Sequence, residues 1–382
     1  MEKTARQGGF SRCDSGGPGP LPRSYREHQP EQHMRIDELF GIDVPIVQAP
    51  MAGVQGSALA IGVANAGGLG SLPAALLDAT GLRRELAAIR SATSRPCNVN
   101  FFCHTPPAPD PAREARWRAL LAPWYAEYGI DPGAGAQAPA RQPFSAALLE
   151  VLAEFRPAVV SFHFGLPDEA LLAPIRAWGA RIVSSATTVE EGEWLQARGI
   201  DAVIAQGLEA GGHRGHFLDD DLTRQLGTLA LTRRLVRRLR VPVIAAGGIA
   251  DAAGVAAALA LGAAGVQVGT AFLLCAEATT APLHRAALTA PNAAHTALTN
   301  LFTGRPARGI VNRAMRELGY VNADAPAFPL AGGALAPLRA AAERAGSTDF
   351  MPLWAGQNTT GCRAIPAAEL LRGLWTNVAP DQ

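Results

Sequence analysis

Residues 202–217 read A-V-I-A-Q-G-L-E-A-G-G-H-R-G-H-F. Ala202–Ala205 is a short, continuous apolar run, the form taken by a strand buried on both faces. It ends in an amide, Gln206, and the chain then passes through Gly211-Gly212 to His213. Glycine allows positive φ and leaves no side chain between the backbone and a ligand. Histidine has the unperturbed pKa closest to neutral pH, so it can take or give a proton there. A buried strand ending in an amide, glycines and an imidazole predicts a flat polar ligand with an acid–base group over it. Taken alone, the stretch reads at least as well as a glycine-rich surface loop with two solvated histidines, His213 and His216. The rest of the chain decides between the two.

The same unit recurs along the chain: a short apolar strand, a polar or glycine break, then an alanine- and leucine-rich helix. The strands fall at Pro45–Pro50, Gly68–Leu72, Asn98–Cys103, Val159–Phe164, Arg181–Ser185, Ala202–Ala205, Val241–Ala246 and Gly265–Val268. Helices are expected between them, among others at Ser57–Ala66, Gly81–Ala92, Glu169–Trp178, Val189–Arg198, Thr228–Arg238 and Asp251–Leu261. Thr188 is placed to cap a helix with Glu190 and Glu191 in its first turn, and Asp251 follows Gly247-Gly248 in the same way. Apolar strands alternating with helices predict a parallel sheet covered on both faces. Eight such units predict a (β/α)8 TIM barrel. A doubly wound open sheet is the competing architecture; the count of eight and the lack of G-x-G-x-x-G after the first strand favour the barrel.

Residues 1–33 have no apolar periodicity and predict a disordered tail, with Met34 as a candidate natural start. The barrel is expected over 34–279. An insertion near 104–158 leaves the C-terminal end of the third strand, the face where such barrels carry their sites. Residues 280–349 predict a smaller, mainly helical accessory domain, and 350–382 a segment that returns to the barrel and closes with a helix at Ala367–Leu374.

The composition suits a globular protein, with 48% hydrophobic and 18% charged residues and a net charge of +1. So small a charge gives no electrostatic case for nucleic acid or an acidic membrane. The five cysteines are widely spaced and form no C-x-x-C, which argues against a disulfide framework or a structural zinc. No run approaches the roughly 18 apolar residues of a membrane span. The N-terminus lacks the apolar core of a signal peptide. A cytoplasmic protein with reduced thiols is expected.

The last two barrel strands end in Ala245-Ala246-Gly247-Gly248-Ile249 and Val266-Gln267-Val268-Gly269-Thr270. In such barrels the loops after strands seven and eight often hold a phosphate through backbone N–H groups. Thr270 adds a hydroxyl. These glycines would also serve simply to close tight turns. If a phosphate binds here, a flat ring lies over the barrel mouth, where Met51 offers backbone groups and Asn100 and Gln206 offer carboxamides. Carboxamides donate and accept, which suits a heteroaromatic ring with N–H and C=O edges. The set describes flavin mononucleotide (FMN) better than a sugar phosphate or a dinucleotide.

At this point the motifs match a family. The chain resembles the nitronate monooxygenases, formerly 2-nitropropane dioxygenases, in their class I branch, from about Arg35 to Leu374. The resemblance is carried by P-I-V-Q-A-P-M-A-G (45–53), N-A-G-G-L-G-S-L (65–72), N-V-N-F-F (98–102), S-F-H-F-G (161–165), A-Q-G-L-E-A-G-G-H-R-G (205–215), A-A-G-G-I (245–249) and Q-V-G-T-A-F (267–272). It implies FMN held by Met51, Asn100, Gln206, Gly211, Gly248, Gln267, Gly269 and Thr270, to which the residue reading adds Gly212, Gly247 and Val268. It implies His213 as the catalytic histidine and His163 as the second active-site histidine. The implied reaction is oxidation of an alkyl nitronate such as propionate 3-nitronate by O2 to a carbonyl compound and nitrite, through a flavin semiquinone. Partners are then a small nitronate and O2, with no nucleic acid or membrane and with room for a homodimer. The alternatives are an NAD(P)H-dependent flavin reductase of quinones or enoyl thioesters, and a non-catalytic FMN-binding protein. Family members often place tyrosines around the substrate; here Tyr125 and Tyr128, in the insertion, are the candidates. A metal site of His213 and His216 lacks a third ligand nearby, and Arg305 and Arg308 are expected to be solvated rather than an anion clamp.

Overall fold

The computed structural model describes residues 34–131, 133 and 141–378. The tail expected over 1–33, with Cys13 and Tyr25, and most of the glycine-, alanine- and proline-rich stretch Asp131–Pro143 lie outside the described residues. Eight parallel strands form the centre: Ile46–Gln48, Gly70–Pro73, Cys97–Phe102, Val159–His163, Arg181–Ala186, Ala202–Gln206, Val243–Ala246 and Gly265–Val268. Neighbours in the chain pair in register around the ring, and the eighth strand pairs with the first. A parallel bridge between Val47 and Leu69 closes the ring, with Gln48 N donating to Leu69 O at 2.9 Å. This is the (β/α)8 barrel that the eight repeats predicted, with every strand within a few residues of its expected bounds.

Side chains alternate across each strand, as the two-residue repeat requires. Val160 and Phe162 point outward and pack with Ile182, Val203 and the helical Leu172, Leu195 and Leu231. Val159, Val183, Ile204 and Ile244 point inward and fill the base of the barrel with Ile36 and Phe40 from the short helix Ile36–Phe40. The base is therefore a sealed apolar plug. Going up the same inward rows, the side chains turn polar: Asn98 and Asn100, Ser161 and His163, Ser185, Gln206 and Gln267. Each row spends its lower residues on stability and its upper ones on the site.

The closing helix Ala367–Trp375 lays Leu370, Leu371 and Leu374 against Leu59 and Val63 of the helix Ser57–Asn65 and Val255 and Ala258 of the helix Ala252–Ala260. Above the mouth, two segments far apart in sequence share one core. Trp117, Leu121 and Tyr125 of the insertion helix Pro111–Glu127 pack with Met315, Leu335, Leu338 and Phe350. Residues 280–349 hold the helices Pro282–Thr289, Arg313–Glu317 and Gly332–Arg344, and also an antiparallel hairpin, Thr296–Thr299 with Ala307–Ile310. The hairpin was not foreseen, and its second strand pairs with Gly212–His213. No helix among the described residues is long and apolar enough to cross a membrane.

Candidate active site

The stretch after Gln206 contains a short strand, Gly212–His213. After Gln206 the chain turns, and Gly212–His213 pairs antiparallel with Arg308 and Ala307 of the hairpin. Gly212 has φ +73°, a left-handed conformation that glycine adopts without Cβ strain. Gly211 meets the C-terminal segment so closely that a Cβ there would lie 2.5 Å from Gly356 N. His213 is thereby held over the barrel mouth between Phe102, Phe328 and Trp354, with ring centroids 5.3 to 6.0 Å away.

His213 Nε2 lies 2.9 Å from Thr303 Oγ1, and that hydroxyl lies 3.4 Å from Arg305 O. A hydroxyl has one proton. Given to the carbonyl, it leaves Thr303 accepting from Nε2–H, so Nδ1 keeps its lone pair. Nδ1 has no partner among the described residues, and the ring lines the central cavity. Burial, reinforced by Arg141, His163 and Arg305, holds His213 well below the usual imidazole range, so it rests neutral.

The backbone of His213 is clasped from beneath. Its carbonyl accepts from Gln206 Nε2 at 2.8 Å and lies 3.2 Å from His163 Nε2. Gln206 Oε1 accepts from Gly215 N at 2.7 Å. His163 Nδ1 lies 2.6 Å from Ser185 Oγ. Both nitrogens of His163 are thus engaged, and burial lowers its pKa to about 3. It lines the cavity with both ring nitrogens turned to protein groups. Gln206 also lines the cavity, with one amide proton and one lone pair already committed to the loop.

His216 is buried, not solvated, and the exposed Asp220 carboxylate lies 3.3 Å from its Nε2. Burial, reinforced by Arg305 and Arg214, outweighs the nearby Asp219 and lowers its pKa to about 3. Among the described residues, no group of three or more His, Cys, Asp or Glu side chains is placed to hold a metal ion. Arg305 and Arg308 are not solvated either. Arg305 stacks 4.1 Å over Phe164 and donates to the carbonyls of Arg214 and His216. Arg308, 6% exposed, donates to Leu208 O and Thr296 O. Both hold backbone, so neither is an anion clamp. Tyr125 donates to Ala334 O at 2.5 Å inside the upper core, and Tyr128 packs on Phe350 there. Neither tyrosine lines the cavity.

The glycine breaks after strands seven and eight meet below the C-terminal segment. Gly247 and Gly248 have φ +126° and +71°. The N–H groups of Gly248, Gly269 and Thr270 have no partner among the described residues. Gly356 N donates to Thr270 Oγ1 at 2.9 Å, and Asn358 Nδ2 to Gly248 O at 3.1 Å. Gln267 reaches inward from the eighth strand, and its Oε1 is a buried acceptor with no partner. A buried unpaired amide oxygen costs about 1–3 kcal/mol, so this one is a natural ligand contact. Val268 points the opposite way, into the apolar layer under the helices, and does not line the cavity. Alternation along the strand explains this, because Gln267 and Gly269 cannot face the mouth together with Val268.

Met51 and Asn100 complete the ring. Met51 N donates to Gln55 Oε1 at 3.1 Å, and Gln48 Nε2 donates to the same oxygen at 2.7 Å. Asn100 Nδ2 donates to Ser161 Oγ at 2.9 Å. Among the described residues, no Asp or Glu lines this cavity, whereas Arg141, His163, His213 and His284 do.

Several of these residues escaped the sequence reading. Arg214, wholly buried, donates to Gln206 O, Gly207 O and Gln225 Oε1, each at 2.7 Å. Burial lowers its pKa to about 9. Thr303, Phe328 and Trp354 come from beyond the barrel. The run F-T-G-R-P-A-R-G (302–309) was visible; its glycine and proline punctuation, without helical periodicity, was the available sign of a hairpin.

A family model described as nitronate monooxygenase matches residues 33–377. The chain is 45% identical over 339 residues to a nitronate monooxygenase of Paraburkholderia phytofirmans, covering 88% of this chain and 92% of that protein. It is 46% identical to a nitronate monooxygenase of Pseudomonas aeruginosa, covering 89% and 97%. Among solved structures it resembles nitroalkane oxidase from Streptomyces ansochromogenes, with a TM-score of 0.81, 41% identity, and 90% and 97% of the two chains covered. A likeness to FabK from Thermotoga maritima, with a TM-score of 0.64 at 24% identity over 90% and 94%, speaks for the fold alone.

Proposed function

The chain belongs to the nitronate monooxygenase family and is an oxidoreductase, and from that premise we propose that it binds FMN in the barrel mouth and oxidises alkyl nitronates with O2 to a carbonyl compound and nitrite. The observation that carries the reading is the single cavity face shared by unpaired phosphate-type N–H groups, an orphaned amide and a free imidazole nitrogen. The donors fit the cofactor. The N–H groups of Gly248, Gly269 and Thr270 would hold its phosphate, Gln267 Oε1 would accept from a ring N–H, and Asn100 and the Met51 segment would line the ring. Bound there, FMN would supply the one-electron chemistry that links substrate oxidation to O2.

The chain's own residues do the rest. A cavity with cationic and no anionic lining draws in the nitronate anion. Phe102, Phe328 and Trp354 exclude water around His213, which strengthens its electrostatic contacts. His213 Nδ1, with its lone pair toward the cavity, takes the α-proton when a neutral nitroalkane is offered. In the protonated state the same atom donates to a nitro oxygen. His163 and Gln206 fix the carbonyl behind that ring, so the nitrogen stays aimed.

The test is anaerobic mixing of the purified protein with propionate 3-nitronate, followed by flavin absorbance, and separately with NADPH. Loss of the oxidised flavin band with the nitronate, then nitrite once air is admitted, is the expected outcome. Bleaching by the nicotinamide alone would move the chain to the flavin reductases. A preparation that takes up no FMN would remove the site assignment.

A further inference from the structure

We propose that Arg141 is the specificity-determining residue of this site, selecting nitronates that carry a second negative group and binding that group directly. The inference rests on the nitronate reading above. Arg141 lines the cavity together with His213 and Phe102, on the side of the third strand. Its main chain is tied down at the residue and just after it: the His104 ring hydrogen-bonds to the Arg141 backbone, and Phe144 N donates to Phe102 O at 2.8 Å. The Phe144 ring packs 4.6 Å from Phe101 and 5.4 Å from Phe162.

The other buried arginines near the mouth have partners. Arg214, Arg305 and Arg308 each donate to backbone carbonyls. Arg339, whose charge is felt at Arg141, is paired with Glu343 at 2.6 Å. The Arg141 guanidinium has no hydrogen bond or ion pair among the described residues. Its five N–H donors form a planar fork that matches a carboxylate. A cation left unpaired in a partly desolvated cavity, with no acid lining it, is costly unless a ligand supplies the anion. His213 takes the nitronate end, and Arg141 lines the same cavity, which leaves the second negative group of one ligand to Arg141.

The test compares two nitronates and their inert carboxylate isosteres. Wild type and the R141Q and R141K variants are assayed with propionate 3-nitronate and with propyl-1-nitronate. Succinate and butyrate, which replace each nitronate by a carboxylate, are titrated by calorimetry. R141Q is expected to lower the preference for the dianionic nitronate by about 10- to 100-fold, the factor of one charge-assisted hydrogen bond, mostly through KM. R141K retains part of the preference, because the charge remains and the fork does not. Succinate binding falls by a similar factor relative to butyrate. An unchanged substrate ratio and unchanged succinate binding in R141Q would overturn the role of Arg141 while nitronate oxidation stands. Oxidation of neither nitronate by wild type would overturn the functional reading instead, and the succinate titration would still decide whether Arg141 binds a carboxylate.

Discussion

His163 Nε2 lies 3.2 Å from the carbonyl oxygen of His213. The fourth strand therefore holds the backbone of the residue whose ring faces the cavity. With Ser185 on its other nitrogen, His163 has no nitrogen left for substrate. Its substitution should act through position. His163→Asn is expected to lower kcat by about 10-fold, since a small displacement of an aimed group is costly. The pH profile should keep its shape. A shifted or lost pKa in the kcat profile of this variant would make His163 a proton carrier and sink the strut interpretation.

His213→Asn separates proton transfer from electron transfer. A general base is worth about 10²–10⁴-fold. The variant should lose that factor with a neutral nitroalkane, whose α-proton must be removed. It should lose much less with the preformed nitronate, from which no proton is taken. Equal losses on both substrates would show that His213 serves binding or orientation only.

Gly211 and Gly212 look alike in sequence and differ in structure. At Gly211 an added Cβ meets backbone, Gly356 N at 2.5 Å and Ala355 C at 2.6 Å. At Gly212 nothing lies within 4 Å, but φ is +73°. Gly211→Ala must push the C-terminal segment off the Thr270 and Gly248 cradle. It is expected to cost about 3 kcal/mol and to weaken FMN retention. Gly212→Ala carries only left-handed backbone strain, about 1–2 kcal/mol. Denaturant midpoints and bound flavin per chain, measured on both, check the order; a Gly212→Ala that is the worse of the two would contradict it.

Arg214 makes a further test of the clasp. Three neutral acceptors depend on one guanidinium with no exposure. A lysine has one nitrogen and cannot reach all three. Arg214→Lys should leave buried carbonyls unpaired and cost about 2 kcal/mol. The His213 loop should loosen with it, seen as faster amide exchange at Gly212–Gly215. Unchanged exchange would detach Arg214 from the site.

The barrel was legible because each strand is a continuous apolar run and each break carries glycine or a helix cap. The site residues on strand ends were legible for the same reason, since position along a repeat places Asn100, Gln206 and Gln267 at the mouth. Val268 shows the limit. The motif Q-V-G-T marks the right loop, but only the pleat decides which of its members look inward. The lid was not legible. Thr303, Phe328 and Trp354 reach His213 from segments 90 to 141 residues further along the chain, and local pattern says nothing about which distant hairpin completes a two-residue strand. In the sequence, Arg305 and Arg308 read as solvated because charge usually is. Here backbone carbonyls of a loop-rich lid needed buried donors, and a long guanidinium supplies several at once.

The buried histidines set a pH dependence of stability. Burial is the largest cause lowering His163 and His216 to about 3 and His104 and His284 to about 4. In the unfolded chain each returns to the ordinary value of 6.5. A depressed folded pKa means that the unfolded state binds more protons at intermediate pH, so stability rises with pH there. The contribution is fully present above about pH 6.5 and is lost as pH falls toward 4 and 3. Each histidine contributes a slope of about 1.4 kcal/mol per pH unit once the unfolded form is protonated. Between pH 6.5 and 5.0 carboxylates bind few protons in the unfolded chain, so the histidines dominate. Urea midpoints should fall steeply over that window, and His284→Asn should remove about one proton from the slope. A stability that stays flat from pH 6.5 to 5.0 would mean these rings take up protons in the folded state, and the neutral His163 strut would be wrong with them.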